Sequence, residues 1–340
     1  MDSVMLDEVD RGLVHALRID GRVPFVRIAE VLGVSENTVA RRYRKLRSTG
    51  TLRVAGTVNG ASLGYTPWTI RLRCTPDAAA GIADALAARP DVSYVYLLSG
   101  GTEISCNTQT GTPGERDALL LERLPRTRRV LGVSAHMLLG SPKLPKDWTG
   151  LDVLTPAQVT ALHPPPVQPA APEPAGAVRP SNRPVPDAAD RVALDAADRA
   201  MLDVLALDGR ASYAELAAAT GWSEATARRR ASQLRDAGVL SYQLDLAYER
   251  VGFRAEARLW MSVRPSRLKD VAEALAAHPE SSFVAMTTGP TNLVAAVLCR
   301  DAADLARYLT ERVASLEDVH EVESAPVIRT LKRAGAPLPL

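Results

Sequence analysis

The chain has 340 residues, 46% of them hydrophobic, and a formal net charge of +2. That length points to more than one domain, and so much apolar material excludes a chain disordered throughout. There is no run of 18 apolar residues, the N-terminus is acidic and polar, and the three cysteines (Cys74, Cys106, Cys299) stand at wide, irregular spacings; a membrane span, a secretory signal, a zinc cage and a disulfide framework are all disfavoured, and a cytoplasmic protein is expected.

Apolar spacing predicts a helix over 7–19, with Val9, Leu13, Ala16 and Leu17 on one face, stopped by Asp-Gly-Arg at 20–22. A second begins near Pro24, which suits the first helical position, and ends at Gly33. Ser35 caps a third, which turns Val39, Tyr43 and Leu46 inward and ends before Gly50. Three short helices with a four-residue turn before the third describe a helix-turn-helix. Asn37, Ala40, Arg41, Arg44 and Lys45 must then face outward. Residues 35–53 hold six basic residues against one acid. Such a strip suits the major groove of double-stranded DNA, with residues near the helix start reaching base edges and cations further on neutralising phosphates. The candidate DNA contacts here are Asn37, Thr38, Arg41, Arg42, Arg44, Lys45 and Arg47.

Strand and helix patterns then alternate: strand 68–73, helix 77–88, strands 92–98 and 103–108, helix 115–124, strand 130–139. This is the βαββαβ order of a ferredoxin-like sheet with both helices on one face. A Thr-Pro start predicts one more short helix over 155–162. Of the 24 prolines, 12 fall within 141–190. The stretch HPPPVQPAAPEPAGAVRPSNRPVP at 163–186 therefore reads as a semi-rigid linker.

The flanks of that linker repeat each other at an offset of 188 residues, with 19 identities over the 47 positions from Leu6 to Leu52. After one insertion the register continues, placing the second set of strands and helices at 257–263, 268–277, 282–287, 293–298, 302–314 and 319–328. The expected fold class is α+β, a tandem repeat of a winged-helix-like helix-turn-helix plus a ferredoxin-like βαββαβ domain. The expected divisions are 1–58 and 191–246 for the helix-turn-helix domains, 59–162 and 247–340 for the sheet domains, and 163–190 for the linker. The candidate DNA contacts of copy two are Thr226, Arg228, Arg229, Arg230 and Arg235. Its outward positions read Ala225, Arg228, Arg229, Ser232 and Gln233, so two cations are lost and one gained, and unequal half-site readout is expected.

This order of domains, opening on LDxxDRxxLxxLxxDGR and carrying GxSxxTxxRR in the third helix, resembles the Lrp/AsnC (feast/famine) family of transcriptional regulators in a double-length form. The resemblance implies self-association through the sheet domains and two DNA-reading helices presented by one chain. It also implies a small-molecule effector, commonly an amino acid, beside a Gly-x-x-Asp turn between the second and third strands. That turn reads Gly100-Gly101-Thr102-Glu103 and Gly289-Pro290-Thr291-Asn292, so the effector candidates are Gly100, Thr102, Glu103, Gly289, Thr291 and Asn292. A carboxylate suits an ammonium and an amide does so less strongly, which disfavours an amino acid in copy two.

The tandem form also resembles fused sirohaem decarboxylases, which are implied to use histidine and arginine on the sheet domain. The five histidines (His15, His136, His163, His278, His320) fall at non-equivalent positions, and none lies in VSYVYLL or SSFVAMT, where a substrate histidine is expected. The retained basic helices favour a regulator over an enzyme. No Walker loop, dinucleotide fingerprint or HExxH is present, and no cofactor or metal is expected. Enrichment in Ala, Arg and Pro points to a GC-rich bacterial genome.

Overall fold

The computed structural model describes residues 6–112, 114, 117–118, 129–162 and 192–337. The expected helix 115–124 lies for the most part outside these residues, and the linker 163–190 entirely so. Asp7 caps α1 (Glu8–Ile19) by accepting the Asp10 N–H at 2.9 Å. Before α2 (Phe25–Leu32), Pro24 is the cap rather than the first helical residue. Its ψ of 140° is extended while its carbonyl already accepts the Arg27 and Ile28 N–H groups. Gly33, at φ +65°, ends α2, and the Ser35 hydroxyl caps α3 (Glu36–Ser48) by accepting the Thr38 N–H. Val39, Tyr43 and Leu46 turn inward onto Leu13, Leu17 and Ile28. The copy continues as β1 (Leu52–Val58), β2 (Thr66–Cys74), α4 (Ala79–Ala87), β3 (Val92–Leu98), β4 (Glu103–Thr110), β5 (Val130–Lys143) and α5 (Pro156–Leu162).

Copy two repeats the series as α6 (Ala196–Leu207), α7 (Tyr213–Thr220), α8 (Glu224–Asp236), β6 (Leu240–Leu246), β7 (Ala255–Val263), α9 (Leu268–Ala277), β8 (Ser281–Thr287), β9 (Leu293–Cys299), α10 (Ala302–Arg307) and β10 (Val319–Arg333), with a two-residue β11 (Ala336–Pro337). The single helix expected over 302–314 is α10 followed by a π-helical turn, Tyr308–Val313, which brings the Tyr308 hydroxyl within 3.2 Å of Ser281.

β1 and β6, which periodicity does not predict, pair antiparallel with each other, Leu52 opposite Leu246 and Val58 opposite Leu240. Glycine is required at position 56, where a Cβ would lie 2.8 Å from that of Leu205 on α6. The sheet of copy one has the order β3-β4-β2-β5 and that of copy two β8-β9-β7-β10, antiparallel throughout. Their edges meet: β5 pairs with β8, and β10 with β3, so eight strands close into a ring. β5 and β10 run past their expected ends at 139 and 328 because their last residues cross onto the other copy. α4 and α9 cover the outer faces over Ile70, Leu72, Ile104 and over Leu259, Met261, Leu293. Tyr96, Leu98, Trp260, Phe283 and Val294 fill the layer between the sheets. Two buried lysines at equivalent positions finish each crossing. Lys143 donates to the His278 carbonyl (2.9 Å) and Lys332 to the Arg89 carbonyl (2.5 Å), each just past the end of the opposite copy's helix, where the helix dipole is negative.

After β5 the chain turns back to the first three helices. Trp148, buried edge-on against Tyr248 and Phe253, donates its indole N–H to the Pro279 carbonyl of copy two at 2.9 Å. Nδ1 of His15, itself buried in α1, accepts the N–H groups of Val153 and Leu154, both at 3.0 Å. α5 then docks on α2, with Gln158 donating to the Val31 carbonyl and Arg27 to that of Ala161. Among the described residues no helix is long and apolar enough to cross a membrane, and no group of three acids, histidines or cysteines could hold a metal.

Candidate nucleic-acid interface

The burial of Val39, Tyr43 and Leu46 leaves Asn37, Arg41, Arg44 and Lys45 exposed along α3. Thr38 belongs to the cap, its hydroxyl 2.9 Å from that of Ser35. In α8 the exposed residues at and beside the same positions are Ala225, Arg228, Arg229, Ser232 and Gln233, and the Thr226 hydroxyl lies 3.0 Å from that of Ser223. The Arg228 guanidinium sits 4.8 Å from the centre of the Tyr213 ring.

Four other candidate arginines are held by carboxylates. Arg42 turns back to α1, 2.7 Å from Asp7 and 3.3 Å from Asp10. Arg230 makes the equivalent contact more fully, donating from Nε and Nη2 to the two oxygens of Asp198, both at 2.7 Å. The difference shows in the acids. Two hydrogen bonds hold the Asp198 carboxyl below its ordinary value, whereas burial and the neighbouring Asp7 raise Asp10, whose single longer contact does not compensate. The signal for this pairing is in the repeat, since both the aspartate and the arginine recur at equivalent positions. Arg47 reaches Asp208 (2.7 Å) and Arg235 reaches Asp20 (2.9 Å), so each third helix is tied to the Asp-Gly-Arg turn of the other copy.

Those turns are contact points as well as helix stops. Arg22 donates to the carbonyls of Gly209 (3.0 Å) and Ala211 (2.9 Å), and Arg210 to those of Gly21 (2.7 Å) and Val23 (3.1 Å). The Arg22 guanidinium lies over Tyr213 and that of Arg210 over Phe25. Gly209 is needed for the approach, because a Cβ there would meet the Ala55 carbonyl carbon at 3.0 Å. Each of these arginine contacts has its exchanged counterpart, the mark of an approximate twofold axis between the three-helix units.

The two glycine turns are also internally engaged. Gly100 and Gly289 adopt φ of +72° and +98°, and the Thr102 hydroxyl donates to the Ser99 carbonyl. Both Glu103 oxygens accept from Nη2 of Arg71 at 2.9 Å. Arg71 also pairs with Glu323 and lies 4.1 Å over the Trp260 ring. In copy two, Asn292 accepts from the Val263 N–H and donates to the Val263 carbonyl, while the Thr291 carbonyl accepts from Thr287. Gly289 faces the His136 ring. The polar tips that would meet an effector thus already have partners within the chain.

Residues 6–47 and 194–235 match the AsnC-type helix-turn-helix domain, and residues 256–337 the Lrp/AsnC ligand binding domain. An uncharacterised HTH-type transcriptional regulator of Pyrococcus horikoshii is 30% identical over 133 residues, covering 39% of this chain and 84% of that protein. The HTH-type transcriptional regulator FL11 of Pyrococcus abyssi is 29% identical over 119 residues, covering 34% and 79%. Both are archaeal and lend no support to a bacterial source. Among solved structures, the siroheme decarboxylase NirDL aligns over 96% of this chain and 93% of its own with a TM-score of 0.60 and 16% identity, a likeness that shows the fold alone.

Proposed function

The chain belongs to the Lrp/AsnC family of transcriptional regulators, as a double-length tandem member, and from that premise we propose that one chain acts as an intramolecular pseudo-dimer carrying two reading heads to two half-sites of a single DNA duplex. The observation that carries the proposal is the exchanged set of contacts between the heads, Arg22 with Arg210 and the pairs Arg47–Asp208 and Arg235–Asp20. A twofold-like pairing of heads suits two half-sites in inverted orientation, separated by about one helical turn or a multiple of it. The exposed Asn37, Arg41, Arg44 and Lys45 of α3 and Arg228 and Arg229 of α8 supply the contacts. Arg41→Ala with Arg44→Ala is expected to weaken binding to a duplex and to lower the dependence of log affinity on log salt by about 1.8, two phosphate contacts' worth. Unchanged affinity and slope, or loss of carboxyl groups from sirohaem incubated with the protein, would overturn the proposal.

The ligand-binding domain match supports a small-molecule effector such as an amino acid acting on assembly. At the glycine turns such a ligand would compete with Arg71 for Glu103 and would share Asn292 with Val263, whose two bonds use one acceptor site and one of the two amide N–H groups. The sheet domains also leave apolar side chains exposed at equivalent positions, Val133 with Val322 and Leu139 with Ile328. This pattern supports self-association through β5 and β10.

A further inference from the structure

Fusion frees the two heads to differ, and they do so on the face that meets DNA. At four outward positions α3 carries Asn37, Ala40, Arg44 and Lys45, where α8 carries Ala225, Arg228, Ser232 and Gln233; at the fifth, Arg41 recurs as Arg229. Past them, exposed Ser48 of α3 corresponds to exposed Asp236 of α8. The one compensating cation, Arg228, leans on the Tyr213 ring. The contacts that set the spacing of the heads show no such divergence: Arg22 and Arg210, Asp20 and Asp208, and Arg47 and Arg235 are identical in the two copies. Symmetry is therefore retained where the heads meet each other and reduced where they meet the duplex, with Arg41 and Arg229 kept in common.

We propose that the chain binds its operator in one fixed polarity: the head of α3 anchors a specified half-site, and the head of α8 meets a second, differently specified and more weakly held half-site. Asn37 near the start of α3 matches the donor and acceptor pair of adenine, and the alanine at 225 offers no hydrogen bond there. Arg41, Arg44 and Lys45 reach phosphates or guanine, whereas serine and glutamine at 232 and 233 carry no charge to neutralise a phosphate. A homodimer of identical heads cannot distinguish the two ends of its site, because its own twofold axis makes them equivalent. A strap of residues 144–162 runs through Trp148 and α5 onto the head of α3. It fixes the first head to the sheet of copy two through the Pro279 carbonyl.

This inference rests on the DNA-binding proposal, and the test separates the two. The full chain is used to select bound duplexes of about three helical turns from a randomised pool. A DNA-cleaving iron chelate is then attached at Ser48→Cys on α3 or, in a second protein, at Asp236→Cys on α8; the three native cysteines are buried. The expected result is cutting at one end of the selected site from Ser48→Cys and at the opposite end from Asp236→Cys. Cutting at both ends by each protein would show two orientations and overturn the polarity while leaving DNA binding intact. In parallel, Arg44→Ser with Lys45→Gln gives the first head the residues of the second. This pair is expected to lower affinity at least about tenfold and the salt slope by about 1.8. Arg228→Ala with Arg229→Ala is expected to cost less affinity, and equal losses from the two pairs would also overturn the proposal. Failure of the unsubstituted chain to retain any duplex at low salt would overturn the DNA reading itself, and the polarity with it.

Discussion

His15 holds two backbone N–H groups on one ring nitrogen, so that nitrogen must be unprotonated, and the other, 3.4 Å from Asp152, carries the proton. Burial and the neighbouring Arg18 lower its pKa, against the opposing pull of Asp152. The unfolded chain therefore binds the proton more readily than the folded one. The stabilisation is fully present above about pH 6.5 and is lost as pH falls below that value towards the folded pKa. Thermal melts of the wild type and His15→Ala at stepped pH are expected to converge on acidification; parallel curves would show that His15 does not titrate in the strap. Removing the acceptor also strands two amides, at a cost of about 1–3 kcal/mol near neutral pH. Arg230→Ala should cost more stability than Arg42→Ala, about 2–3 against about 1 kcal/mol. Asp198 is fully buried and doubly bonded, while burial already favours the neutral form of Asp10. Urea midpoints of the two variants give the comparison.

At the scale of elements, α1 to α3 and their counterparts are legible in the sequence because what ends them is local: Asp7, Ser35, Ser212 and Ser223 cap, and Gly33 and Gly221 stop. β1 and β6 are not, since each is a single strand whose partner lies about 190 residues away in the other copy. The far ends of β5 and β10 escape for the same reason. The outward face of α3 follows from its inward one, but the partners of Arg42, Arg47, Arg230 and Arg235 do not, because each aspartate belongs to another helix or another copy. The strap contributes through a single large side chain. Trp148→Ala removes a buried indole and its hydrogen bond to Pro279 and is expected to cost about 3–5 kcal/mol. Limited proteolysis should then cut between residues 149 and 162 well before the sheets are lost. Equal protection of mutant and wild type would show that the strap is held by α5 alone.

On the scale of the whole molecule, the ring of strands has two seams, β5 with β8 and β10 with β3, and at each the two faces belong to different copies. Both copies come from one polypeptide, so closure is a first-order event. Dilution that would separate two free subunits leaves this molecule closed, because the connecting segment keeps each half at a fixed local concentration of the other. At concentrations below those at which whole chains self-associate, the melting temperature is therefore expected not to change with protein concentration, and cleavage within 163–190 should make it do so. Single-unit regulators form their pairs by mass action, so the abundance of active pairs rises as the square of subunit number when pairing is weak. Here the supply of paired heads tracks synthesis one for one, and a cell holding only a few molecules would still hold them all complete.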